Sequence, residues 1–155
     1  MAMHPAHATR QAGQDWLLSC AERPTAIQAA WDADDLARFE TGLSWRVAEA
    51  SLTLSMDIAK WMICPDRLGP ILVDVEESLA WWLLPLDLGD ELDDVRQITV
   101  RPAGWELWCP PVLYPVRGRM WMGGLDGSGR LTDPVLLGAA LGPGGGPRLP
   151  AEAFG

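Results

Sequence analysis

Histidine and basic charge are scarce in this chain. The 155 residues hold two histidines, His4 and His7, both within the first seven positions, so no predicted core strand carries one. A Ser–His–Asp or Cys–His catalytic arrangement therefore lacks its base. Lys and Arg number 12 against 21 Asp and Glu, a net charge of -9. A surface that grips duplex nucleic acid needs cations to displace counterions from phosphate, and no basic run supplies them. No stretch approaches 18 consecutive apolar residues, which excludes a helical membrane span. The opening MAMHPAHATRQ has no apolar core of a secretion signal. Cys20, Cys64 and Cys109 form no CxxC pair, and an odd count of separated cysteines fits a reducing compartment. The expected location is the cytoplasm. Glycine-rich stretches occur at Gly123-Gly124 and Gly142 to Gly146, but neither joins a strand to a helix as a phosphate loop requires.

Hydrophobic residues make up 48% of the chain, enough for one domain with a sizeable core. Tryptophan is the dominant aromatic, nine against two Phe and one Tyr. Abundant Ala, Gly, Pro, Arg and Trp with little Lys point to a GC-rich bacterial genome.

The most apolar stretch is Gly69 to Pro85, GPILVDVEESLAWWLLP. Ile71, Leu72, Val73 and Val75 read as one arm of a hairpin, and Leu79 with Trp81 to Leu84 as the other. Runs this apolar are covered on both faces, which places the hairpin in the middle of a sheet. Around it the pattern predicts a helix over Ala8 to Ala21 and a short helix from a capping box at Thr25 to Gln28. A one-turn helix is expected between Asp32 and Phe39. Gly42 to Ala50 alternates as a half-buried strand, and Ser51 caps a helix over Leu52 to Ile63. An acidic stretch, Leu86 to Asp94, reads as a solvated loop or short helix. Val95 to Arg101 and Trp105 to Cys109 read as strands joined by a turn at Ala103-Gly104. Val112 to Met122 adds an edge strand, and Pro134 opens a last helix through Leu141. The expected fold is α+β: residues 8–141 form one domain, with a mostly antiparallel sheet of about five strands and helices packed on it. Residues 1–7 and 142–155 are expected to be tails.

The ordered set of short pieces resembles the small actinobacterial proteins that carry bifunctional DNA primase/polymerase N-terminal-like domains, within the archaeo-eukaryotic primase–polymerase group. The pieces are Trp16-Leu17-Leu18-Ser19, Pro24-Thr25-Ala26, the strand–helix unit from Leu43 to Ile63, Gly69-Pro70-Ile71-Leu72-Val73 leading to Leu84-Pro85, the Cys109-Pro110-Pro111 corner, and Asp133-Pro134-Val135-Leu136-Leu137. They span most of residues 12–141. The resemblance implies two-metal nucleotidyl transfer, which needs closely spaced carboxylates and, in this family, a histidine on a neighbouring strand. Asp74-Val75-Glu76 has the acid–apolar–acid form. By order along the chain the family's metal strand falls earlier, near Trp45 to Ser51, where Glu49 is the one acid, and the histidine is missing.

Two functional expectations follow. The first is a degenerate, non-catalytic primase–polymerase-like domain without cofactor, acting as a protein-interaction or regulatory module. It would bind a protein partner or itself, through tryptophans such as Trp81, Trp82 and Trp121. The second is a divergent nucleotidyltransferase or nucleotide-binding enzyme that uses Asp74 and Glu76 with Mg²⁺ or Mn²⁺, completed by Glu49 or Asp57. Arg96, Arg101 and Arg119 are the candidate phosphate ligands, since a planar guanidinium donates in pairs. Against each stands a bland alternative. The acids of 74–77 can be a solvated turn, the arginines can pair with the acidic loop at 87–94, and the tryptophans can be core.

Overall fold

The hairpin at the centre of the sequence is also the centre of the fold. The computed structural model describes residues 5–61, 68–122 and 125–141. Its elements run α1 (Pro5–Ser19), α2 (Pro24–Asp32), β1 (Ala37–Glu40), β2 (Arg46–Ser51), α3 (Leu52–Trp61), β3 (Ile71–Asp74), β4 (Leu79–Leu84), β5 (Thr99–Val100), β6 (Glu106–Cys109), β7 (Arg119–Met122) and α4 (Pro134–Leu141). Five strands form an antiparallel sheet in the order β5-β2-β4-β3-β7, and β1 pairs with β6 in a separate two-stranded ribbon. The class is α+β, as expected. β2 and β3 both run antiparallel to β4, which lies between them, and α3 connects them. This is a split β-α-β unit.

Alternation along the strands divides the core in two. Ala48, Ala50, Ile71, Val73, Ala80, Trp82 and Leu84 face one side, against Ile58 of α3, Leu137 of α4 and the loop residues Leu92, Val95 and Ile98. Val47, Leu72, Trp81 and Leu83 face the other, against Leu17, Trp31, Phe39, Trp45, Leu107 and Cys109. Both sides of β3 and β4 are therefore dry, which is why their sequences are continuous apolar runs rather than alternating ones. Two of the buried indoles find acceptors: Trp31 Nε1 donates to the Cys109 carbonyl at 3.0 Å and Trp82 Nε1 to Ser55 Oγ at 3.1 Å.

Several expectations are corrected. The segment before Phe39 is no helix: Ala37–Glu40 is strand β1, with Ala37 and Phe39 buried and Arg38 and Glu40 exposed. Val95 to Arg101 contributes only Thr99–Val100 to the sheet, beside β2. Val95 and Ile98 are both buried three positions apart, so the segment packs as a turn-rich cover rather than alternating. Trp105 to Cys109 does not fold back on that segment. Thr41 captures the intervening turn, donating from Oγ1 to the Pro102 carbonyl and accepting from Gly104 N, which steers β6 onto β1. Val75 leaves the strand and is exposed in the turn. Helix α1 starts at Pro5, within the expected tail. Residues 62 and 63, the end of the helix predicted over Leu52 to Ile63, and the C-terminal tail lie outside the described residues.

Candidate functional site

On the sheet face that looks toward the β1–β6 ribbon, two arginine–carboxylate pairs bracket Trp81. The β3–β7 register sets Asp74 directly opposite Arg119. Arg119 Nε donates to Asp74 Oδ2 at 2.9 Å, its Nη1 donates to the Trp108 carbonyl at 2.6 Å, and its guanidinium lies 4.5 Å from the centre of the Trp81 ring. The β2–β4 register sets Glu49 opposite Trp81. Trp81 Nε1 donates to Glu49 Oε1 at 3.0 Å, and Arg101 Nη2 reaches both Glu49 oxygens at 3.0 Å. Arg101 in turn lies 5.1 Å from the centre of the Trp105 ring. Arginine suits this role because one planar fork can hold a carboxylate and stack on an aromatic face together.

Asp74 is occupied on both oxygens. Its Oδ1 accepts the backbone N–H groups of Glu76 and Glu77 at 3.0 and 2.9 Å, closing the turn to β4, where Ser78 takes a left-handed conformation (φ 59°). The strand ends at Asp74, so alternation does not carry on to Glu76, which is exposed in the turn. The two acids expected to share a face do not act together. Among the described residues, no three His, Cys, Asp or Glu side chains come together as a metal group.

The remaining candidates separate. Trp81 and Trp82 are 3% and 0% exposed, so neither offers a surface to a partner: alternation sends them to opposite faces, as expected, and both faces are covered. Trp121 on β7 is half-buried and donates to the Pro110 carbonyl at 2.9 Å. Arg96 is exposed on the loop that covers the opposite face, away from Arg101 and Arg119. Two of the arginines expected to pair with the acidic loop at 87–94 are paired elsewhere, Arg101 with Glu49 and Arg119 with Asp74, and the neighbouring Arg117 pairs with Asp35. Burial pushes the Cys109 thiol well above its ordinary pKa and raises that of Cys20. Cys64 lies outside the described residues.

A second feature, on the ribbon, was not foreseen from the residue pattern. An open groove of about 420 Å³ runs along β1, walled by α2 and the α1–α2 turn. Ala26, Ile27, Ala30 and Leu36 line it, and Leu43 and Trp108, both 45% exposed, stand at its rim. The signal was present in Ala37-Arg38-Phe39-Glu40, which alternates as a strand does.

No family model matches this chain, and no curated protein or solved structure shows a significant likeness to it.

Proposed function

We propose that this chain is a non-catalytic domain of primase–polymerase-like type that works in the bacterial cytoplasm by binding protein. The observation that carries this reading is the state of its central carboxylates. Asp74 and Glu49 point from the same sheet face, and each is held by an arginine of the chain itself, with further donors on the remaining lone pairs. A divalent cation takes oxygen ligands carrying negative charge, and here it would have to displace Arg119 or Arg101 to reach them. Those two arginines, already spent on carboxylates, are equally poor phosphate ligands. The order of elements, with a leading helix, the β2–α3 unit, the apolar hairpin and a closing helix, supports the family resemblance. The groove beside β1 and its half-exposed Leu43 and Trp108 support a protein-binding role.

The test is calorimetric titration of ATP and dATP into folded protein with Mn²⁺ present. The expected result is no saturable heat. Saturable, metal-dependent heat that Asp74→Asn abolishes would overturn the proposal in favour of the nucleotidyl-transfer reading.

A further inference from the structure

We infer that β1 is a self-association edge, along which a second copy of this chain adds its own β1 in antiparallel register about Phe39. The inference rests on the protein-binding reading above and names the partner. It starts from backbone hydrogen bonding. Thr41 N donates to the Trp105 carbonyl at 2.9 Å, just beyond the β1–β6 pairs Ala37↔Cys109, Arg38↔Trp108, Phe39↔Leu107 and Glu40↔Glu106. Hydrogen-bonded pairs alternate in an antiparallel ladder, so Ala37, Phe39 and Thr41 direct their peptide groups toward β6. Arg38 and Glu40 direct theirs the other way, into the groove. Among the described residues no donor or acceptor meets them there. The same alternation turns the Trp108 peptide outward from β6, and there Arg119 Nη1 takes its carbonyl. The ribbon is thus capped on its β6 side and open on its β1 side.

Charge selects the occupant and the register. Arg38 and Glu40 carry opposite charges two residues apart on one exposed face. In a two-fold pairing about Phe39, Arg38 lies opposite the partner's Glu40, and Glu40 opposite the partner's Arg38. Each of these is a hydrogen-bonded pair, so the outward peptide groups of both strands are satisfied. A two-fold pairing centred on Arg38 would instead oppose Arg38 to itself, and one centred on Glu40 would oppose Glu40 to itself. Within one chain Glu40 faces Glu106 across the ribbon, an unfavourable like-charge pair. Among the described residues Arg38 bridges to Glu106 alone, at 2.6 Å. A partner's Arg38 beside Glu40 supplies the missing cation, and Leu43 and Trp108 stand at the rim of the same groove.

The experiment is sedimentation velocity of the full chain from micromolar to millimolar concentration, with Arg38→Glu and Glu40→Arg, their equimolar mixture, and the double exchange. Both side chains are exposed and the Arg38–Glu106 pair is a surface one, so the variants fold, which circular dichroism checks. Wild type is expected to dimerise. Each single reversal sets two like-charge pairs across the two-fold and should raise Kd by at least about tenfold. The mixture should form a heterodimer and the double exchange a homodimer, each near wild-type strength. A monomeric wild type at millimolar concentration overturns the inference, as does a dimer indifferent to single reversals or a mixture that fails to rescue. A nucleotide- and metal-dependent heat would strike the functional proposal and leave this result standing, so the two failures are distinguishable.

Discussion

Replacing Asp74 by Asn separates a structural carboxylate from a catalytic one by the sign of its effect on stability. The side chain of Asp74 is 7% exposed and that of its partner Arg119 18%. Asparagine keeps one oxygen for the N–H groups of Glu76 and Glu77, but turns an NH₂ group toward the Arg119 Nε–H, donor against donor. Losing a hydrogen bond between charged groups costs about 1.5–3 kcal/mol, and breaking a fully buried ion pair about 3–5 kcal/mol. Arg119 keeps the Trp108 carbonyl and the Trp81 ring, so the lower range applies, about 2–3 kcal/mol. At about 2–4 °C per kcal/mol for a chain of this size, the midpoint of thermal unfolding should fall by roughly 4–12 °C. Urea unfolding followed by tryptophan fluorescence measures the same loss at constant temperature. Glu76→Gln is the control: exposed in the turn, it should change stability by less than about 0.5 kcal/mol. A double-mutant cycle with Arg119→Met should give a coupling of about 1–3 kcal/mol. A carboxylate kept for metal binding is a local liability, and neutralising it leaves stability unchanged or raises it. An Asp74→Asn variant as stable as wild type would therefore refute the structural assignment.

Two further predictions test packing and reactivity. Gly13→Ala lies inside α1, where alanine ordinarily favours a helix by about 1 kcal/mol. Here the added Cβ would meet the Leu125 carbonyl oxygen at 2.2 Å, so chemical denaturation should show a loss of stability instead of a gain. Among the described cysteines, Cys109 is fully buried with its thiol pKa pushed well up, and should resist iodoacetamide at pH 8 until the protein is unfolded. Cys20, half-buried and raised less, should label slowly in the native state, and mass spectrometry of timed aliquots resolves the two sites.

What the sequence made legible follows from how local each signal is. Two-sided burial writes an uninterrupted apolar run, so Ile71 to Val73 and Trp81 to Leu84 announced a central hairpin without reference to anything else. Two helix starts were equally local: Pro134 opens α4, and Ser51 Oγ accepts the Leu54 N–H at the start of α3. The capping box expected at Thr25 to Gln28 does not form, because α2 already starts at Pro24, behind Arg23, with no side-chain cap. β1 was obscured by the aspartates before it, which mimic helix caps although Ala37 to Glu40 alternates cleanly. The partner of β6 was illegible for a different reason. A turn at Ala103-Gly104 favours the neighbouring segment as partner, and only Thr41, some sixty residues back in the chain, redirects it. The candidate site shared that difficulty. Arg119 meets Asp74 across 45 positions and Arg101 meets Glu49 across 52, through registers that leave no mark in local composition. The acid–apolar–acid form of Asp74-Val75-Glu76 suggested a pair, but the strand ends at Asp74, two residues short of Glu76.

The distribution of strand edges joins the site to the interface. An unpaired edge is a template for another strand, and folded proteins blunt it with short strands, charge or cover. In the five-stranded sheet one edge is β5, only two residues long. The other is β7, whose chain enters through a tight turn at Arg117-Gly118, both at positive φ, that pins Val116 to Arg119. In the ribbon, Arg119 closes the outward carbonyl of β6 while its Nε holds Asp74. One arginine therefore neutralises the would-be metal ligand and blunts an edge, while the outward peptides of Arg38 and Glu40 on β1 meet no donor or acceptor among the described residues. Two copies at net charge -9 repel at a distance, but at physiological salt that repulsion fades over about 8 Å. The Arg38–Glu40 contacts across a β1–β1 seam lie inside that range, so the seam can form despite the net charge. Raising the salt should weaken both the repulsion and the contacts, and a dimer held by four backbone hydrogen bonds should respond to it less than an exposed ion-pair seam alone would.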